Sequence, residues 1–177
     1  MQGMLPLLPM LALLIYAAVE DIRTRRIRNW LTLCLAASGL LASFFSGAVV
    51  SPPEAGLGLL VGFTIPFVLF LLGALGGGDV KLLAGIGAWI GAIGVFKVFL
   101  VAAIVGLLIV LVQCTIHGRL FALFRNSAVL ALSMVHIDQI GVKQTTELGK
   151  SCRSIDRPLP YALPVLVATL MVIGLPL

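Results

Sequence analysis

Six stretches of the 177-residue chain are apolar almost without interruption: Leu5 to Val19, Trp30 to Val50, Ala55 to Leu75, Leu82 to Phe96, Val98 to Ile116 and Tyr161 to Leu177. None of them holds an acidic residue in its interior. A helix rises about 1.5 Å per residue, so about 20 residues cross a hydrocarbon layer about 30 Å thick, and each stretch approaches that length. The expected fold class is therefore all-α: a polytopic membrane protein of about six transmembrane helices, forming a single domain over residues 1–177. Composition agrees, with 60% apolar and 11% charged residues, against about 25% charge in an ordinary soluble domain. A soluble enzyme, a disordered chain and a disulfide scaffold are all excluded on these grounds.

With charge so scarce, its placement carries the topology. Arg23, Arg25, Arg26 and Arg28 crowd one short loop, and Arg119, Arg125, Lys143, Lys150, Arg153 and Arg157 share another. Loops rich in Lys and Arg stay cytoplasmic, which predicts an outer N-terminus and cytoplasmic loops at 20–29, 76–81 and 117–160. Eleven of the twelve cations fall in those three loops. The net charge of +5 does not point to nucleic acid, because the cations form no face interleaved with aromatics. Residues Met1 to Val19 lack a basic n-region and read as a retained anchor, not a cleaved signal.

Punctuation inside the chain agrees with the span count. Pro52 and Pro53 break it after the second run, and Gly76, Gly77 and Gly78 break it after the third. The fourth and fifth runs are expected to form a tight hairpin through a turn near Gly91 to Lys97, with Lys97 snorkelling outward. Leu120 to Val135 mixes Arg125, Asn126 and Ser127 into apolar sequence and reads either as a helix lying on the inner leaflet or as a short seventh span, against which the Arg in its middle argues. The three cysteines, Cys34, Cys114 and Cys152, form no CxxC pair; the first two lie in apolar runs and are expected simply to pack.

Seven acids remain to be explained, of which Glu20, beside Asp21, reads as incidental. Asp138, Glu147 and Asp156 fall in the polar loop as solvated charges, and Glu54 follows two prolines at a helix start, where an acid favours the macrodipole. Asp21 closes the first run and Asp79 opens the fourth, so the predicted topology puts both carboxylates at one membrane face, 58 residues apart in sequence. Two carboxylates brought close at low dielectric cannot both ionise cheaply, so one keeps its proton while the other takes one from water. Such a pair can activate water for attack on a peptide carbonyl and protonate the departing amine. Taken singly, each has a plainer reading: Asp21 as counter-charge to the neighbouring arginines, Asp79 as a helix N-cap.

The words around the two acids decide between these readings. Gly76-Gly77-Gly78-Asp79-Val80-Lys81 contains a GxGD motif, and Asp21 is followed by a basic stretch and then Asn29 at the start of the next run. Together they resemble the type IV prepilin peptidases, GxGD intramembrane aspartyl proteases, and the length is similar to the short tight-adherence (Tad, CpaA-like) branch. Pro160-Tyr161-Ala162-Leu163-Pro164 is similar to the Pro-Tyr-rich start of that family's last helix.

The resemblance implies that Asp21 and Asp79 are the catalytic pair, with no metal and no cofactor. The glycines Gly76 and Gly78 are expected to let the backbone turn sharply and a substrate strand approach Asp79. Lys81 either snorkels or helps hold substrate, and Asn29 either caps the second helix or donates a hydrogen bond to the site, capping being the simpler reading. The implied substrate is a prepilin whose basic leader is cut just before its apolar helix, at the cytoplasmic face of a bacterial inner membrane, in Tad-type pilus assembly or secretion. Packing of that apolar helix against the membrane helices supplies affinity, and the basic loops bind anionic lipid headgroups.

Two departures from the family pattern stand out. Arg28 occupies the position before Asn29 where the family usually has Pro, so a different loop geometry is expected. The cysteine-bearing N-terminal domain of bifunctional relatives is missing from the sequence, which puts N-methyltransferase activity in doubt. A competing reading from another class, a small membrane transporter or channel using Asp21 and Asp79 for cation or proton binding, would call for ionisable residues near the bilayer midplane, where the six runs have no acid.

Overall fold

The structure, a computed structural model, describes residues 5–45, 47–72, 75–116 and 161–174. The expected interfacial helix at Leu120 to Val135, Cys152, and the rest of the loop 117–160 lie outside the described residues. Among those described, all regular structure is helical: a short 3-10 turn at Leu5–Leu7, then α1 (Leu8–Thr24), α2 (Asn29–Ala42), α3 (Pro52–Leu71), α4 (Gly77–Ile116) and α5 (Ala162–Gly174). By length and composition, Pro52–Leu71 and the run Gly77–Gln113 are apolar enough to cross a membrane.

Helix α1 runs past the end of its apolar stretch. Its buried stripe, Met10, Leu14 and Ala17, flanked by Leu11 and Ala18, repeats at helical spacing and continues one step further to Asp21. The carboxylate therefore shares the core face, only 6% exposed. Arg25, in the left-handed region at φ 53°, ends the helix by donating its N–H to the Asp21 carbonyl at 2.8 Å.

Helix α2 stops at Ala42, eight residues before the end of the predicted run, and at 14 residues spans only about 21 Å. It leans on α4 through a buried bond from Trp89 Nε1 to the Leu35 carbonyl, 3.0 Å. Cys34, expected to pack, is instead exposed on α2, because the buried face of this helix is taken by Leu31, Thr32, Leu35 and Gly39.

A capping box starts α3: Glu54 Oε2 accepts from the Ser51 N–H and hydroxyl, each at 3.0 Å. Its buried stripe is Ala55, Gly58, Gly62 and Pro66, small residues that let two backbones press together. A Cβ on Gly58 would collide with the Gly87 carbonyl, and one on Gly87 with the Gly58 carbonyl; Gly62 meets Leu83 in the same way. Since 58 faces 87 and 62 faces 83, α3 runs antiparallel to the first part of α4.

Helical geometry in α4 fails at one residue, Gly91, with φ 75° and ψ 178°. A straight helix would separate Asp79 from Gly106 by about 40 Å. Tyr161, however, packs 3.8 Å from the Cβ position of Gly106 and also feels the Asp79 charge. The chain therefore folds back at Gly91 into two arms. The turn sits at the N-terminal edge of the expected window because a positive φ is open to glycine, and Lys97 lies inside the second arm, not at the tip. Helix α5 packs on α4 and α1, burying Ala162, Pro164, Val165, Ala168 and Thr169. Outward faces stay apolar, with Leu33, Phe44, Phe45 and Ile93 all more than 69% exposed, a surface that suits lipid and not water.

Candidate active site

Three helix ends converge at one end of the bundle: the C-terminus of α1 and the N-termini of α4 and α5. Ala162, first residue of α5, donates its N–H to Asp21 Oδ2 at 3.0 Å across 141 residues of sequence. That amide is one of the donors that every helix start leaves without an intrahelical partner, and the positive end of the α5 dipole faces the same carboxylate. Burial raises the Asp21 carboxyl above its ordinary value, and the Ala162 bond opposes the shift. Among the described residues Asp21 forms no ion pair with Arg23, Arg25, Arg26 or Arg28, so the counter-charge reading of this residue is not what the structure displays.

Asp79 stands in the first turn of α4. Its Oδ2 accepts the Gly76 N–H at 3.2 Å, so the capping role expected of an isolated Asp is present and occupies one oxygen. The same carboxylate lies within electrostatic reach of Asp21 and of Tyr161. The two acids, from different helices, thus share one site.

Gly76 and Gly78 serve the site in a way the sequence did not suggest. Among the described residues positive φ occurs at Arg25, Gly47 and Gly91, so neither Gly76 nor Gly78 is needed for a left-handed turn. They make room. A Cβ on Gly76 would stand 2.9 Å from Asp79 Oδ2, and one on Gly78 would stand 3.3 Å from Ile27 Cβ.

Lys81 and Asn29 are brought together: Lys81 Nζ donates to Asn29 Oδ1 at 2.9 Å, 52 residues apart in sequence. Asn29 does not cap α2, which begins at this residue without any side-chain cap bond. Its amide is turned toward the start of α4, tying the loop after Asp21 to the helix that carries Asp79. The backbone at Arg28 has φ −68° and ψ 137°, a φ that a proline at this position would also adopt.

Two contributors escaped sequence reasoning. Ala162 acts through its backbone, which leaves no signal in residue type. Glu20, taken as incidental, is buried at 8% exposure and paired with Arg28, Oε1 to Nε 2.8 Å; an acid adjoining Asp21 was the only available hint.

A profile of the type IV leader peptidase family matches residues 8–111. A prepilin leader peptidase/N-methyltransferase of Pectobacterium carotovorum subsp. carotovorum is 38% identical over 110 residues, 58% of this chain and 39% of that protein. Preflagellin peptidases of Methanococcus maripaludis and Methanococcus voltae are 36% and 38% identical over 78 and 81 residues. Those matches take in 42% and 44% of this chain and 34% of each relative, so the chain covers well under half the length of these proteins. No solved structure matches.

Proposed function

The chain belongs to the type IV leader peptidase family, and from that premise we propose that it is an intramembrane aspartyl endopeptidase with Asp21 and Asp79 as its catalytic pair. The observation that carries the reading is that two acids 58 residues apart are buried or half-buried at one end of the bundle, with Asp79 within reach of the Asp21 charge. One carboxylate takes a proton from a water held between them. The oxygen of that water attacks the peptide carbonyl, and the other carboxyl gives its proton to the departing amine as the C–N bond breaks. The pair titrates as a unit.

The substrate in this reading is a type IV prepilin of the Flp/Tad kind, cut between its basic leader and its apolar helix. The site faces the cytoplasm across an inner membrane, and about six spans carry it: α1, α2, α3, the two arms of α4 and α5. The topology is supported by the eleven cations predicted on that face, and the substrate by the kind of peptidase the relatives are named for. Supporting roles go to Gly76 and Gly78, which leave room around Asp79, and to the Lys81–Asn29 bond.

Co-expression with an epitope-tagged prepilin tests this. The wild-type chain converts precursor to mature pilin, whereas Asp21→Asn and Asp79→Asn each leave the precursor uncut. Processing by either variant would end the assignment, and loss of ion flux in proteoliposomes alongside intact processing would favour a transporter instead.

A further inference from the structure

Among the described residues, Glu20 is the one buried acid for which the peptidase mechanism has no use. Its Oε1 meets Arg28 Nε at 2.8 Å, while Oε2 is buried and makes no hydrogen bond among the described residues. A carboxylate so enclosed needs its partner charge, yet the Arg28 side chain is 64% exposed, so the arginine reaches inward from the surface to meet it. Between them the chain reverses at Arg25 with φ 53°.

This short loop touches both flanks of Asp79. Ile27 packs against Gly78, its Cβ 3.3 Å from where a glycine Cβ would stand, and Asn29 accepts from Lys81 at 2.9 Å. At its other end Glu20 is bonded in sequence to Asp21. The backbone at Arg28, φ −68°, already has the angle of a proline ring, and in this chain an ion pair is what spans the loop there.

We propose that Glu20 and Arg28 are positioning residues, an ion-paired clamp that holds loop 25–28 against the Gly78–Lys81 segment and so sets the approach of Asp79 to Asp21. The proposal rests on the peptidase reading for its effect on rate, though not for its effect on loop position. A clamp acts on the geometry of the reacting groups, so its loss lowers kcat and leaves KM nearly unchanged. Its role is also replaceable: a proline at 28 holds the same backbone angle without a partner, provided the buried charge is removed with the arginine.

The test is a cycle of Glu20→Leu, Arg28→Pro and the double variant in the full chain, assayed for prepilin processing in membranes. Each single variant is expected to lose about fivefold or more in kcat with KM within about twofold. The double variant should return to within about twofold of wild type, where independent effects would multiply to about 25-fold. Single variants at wild-type rate, or a double no better than its worse parent, would overturn the proposal.

A second measurement needs no catalysis. With Cys34, Cys114 and Cys152 replaced by Ser, a disulfide between Ile27→Cys and Gly78→Cys reports loop apposition, since the 3.3 Å Cβ separation needs to open by only a few tenths of an ångström to reach the roughly 3.5–4.5 Å of a disulfide. Its formation should slow about fivefold with Glu20→Leu and recover on adding Arg28→Pro; an unchanged rate refutes the clamp. If the wild-type chain cuts no prepilin, the peptidase reading falls, and the crosslinking alone decides this one.

Discussion

Replacing Asp21 by Asn or by Ala should separate what this residue does for the reaction from what it does for the fold. Both changes remove the titrating carboxylate, and loss of a positioned acid or base costs about 10²–10⁴-fold in rate, so neither variant should process prepilin detectably. Stability should diverge. Asn keeps a carbonyl oxygen where Oδ2 accepts the Ala162 N–H at 3.0 Å, whereas Ala leaves that buried amide without a partner, at about 1–3 kcal/mol. In a chain of this length that is about 2–12 °C in melting temperature, with Asn the more stable.

The sign of the pH dependence follows from burial. The unfolded carboxyl ionises near 3.8, and desolvation raises the folded value above it. The wild type's advantage from a neutral Asp21 is thus complete below about pH 3.8 and is lost as pH rises through the raised folded value. The Asn variant has no such loss, so its melting temperature should gain on wild type as pH rises above about 3.8. Thermal unfolding in detergent at several pH values, with prepilin processing measured in parallel, reads both effects. An Asn variant that still cuts prepilin, or that melts below the Ala variant, would refute the reasoning.

Three further outcomes follow from close contacts. Gly87→Ala drives a methyl into the Gly58 carbonyl and should cost about 1–3 kcal/mol by overpacking, seen as a lower melting temperature, while Gly56→Ala, with nothing within 4 Å, should not. Gly76→Ala puts a methyl 2.9 Å from Asp79 Oδ2 and should slow processing about tenfold or more through misplacement of that carboxylate, with little change in melting temperature. Lys81→Ala and Asn29→Ala should each slow processing by a similar factor, and the double variant should be no slower than either, because both break the same 2.9 Å bond; multiplicative losses would argue for separate roles.

How much of this was legible in the sequence depended on whether the signal was one of residue type. Apolar runs and their Pro and Gly breaks announced helices, and the Gly-Asp word with its partner Asp21 announced the two acids that the fold brings together, because both are compositional facts. Helix ends were less legible. Apolarity continues through Phe44 and Phe45 after α2 has ended, since hydropathy reports what lipid tolerates and not where hydrogen bonding stops. The reversal at Gly91 was blurred across Gly91 to Lys97 because a single residue with positive φ suffices to turn the chain. Asn29 was read as a cap from its position beside a helix start, and its tie to Lys81 depends on a fold that brings residues 52 apart into contact. Glu20 could not be told from a solvated neighbour of Asp21, as its burial comes from Arg28 and from the edge of the α1 stripe.

The arrangement around the two acids also explains why the site needs helices remote in sequence. A buried carboxylate must be offset by hydrogen bonds or by charge, and in a chain with seven acids among 177 residues there is little side-chain polarity to spend on the task. The amides left over at helix starts supply it instead. Gly76 opens α4 and binds Asp79, and Ala162 opens α5 and binds Asp21. Each acid therefore rests on the start of a helix, and the stronger dependence is that of Asp21, whose amide arrives only when α5 docks on α1. The two carboxylates are thus held by amides from two different helices, and their arrangement is complete only when α4 and α5 are both in place.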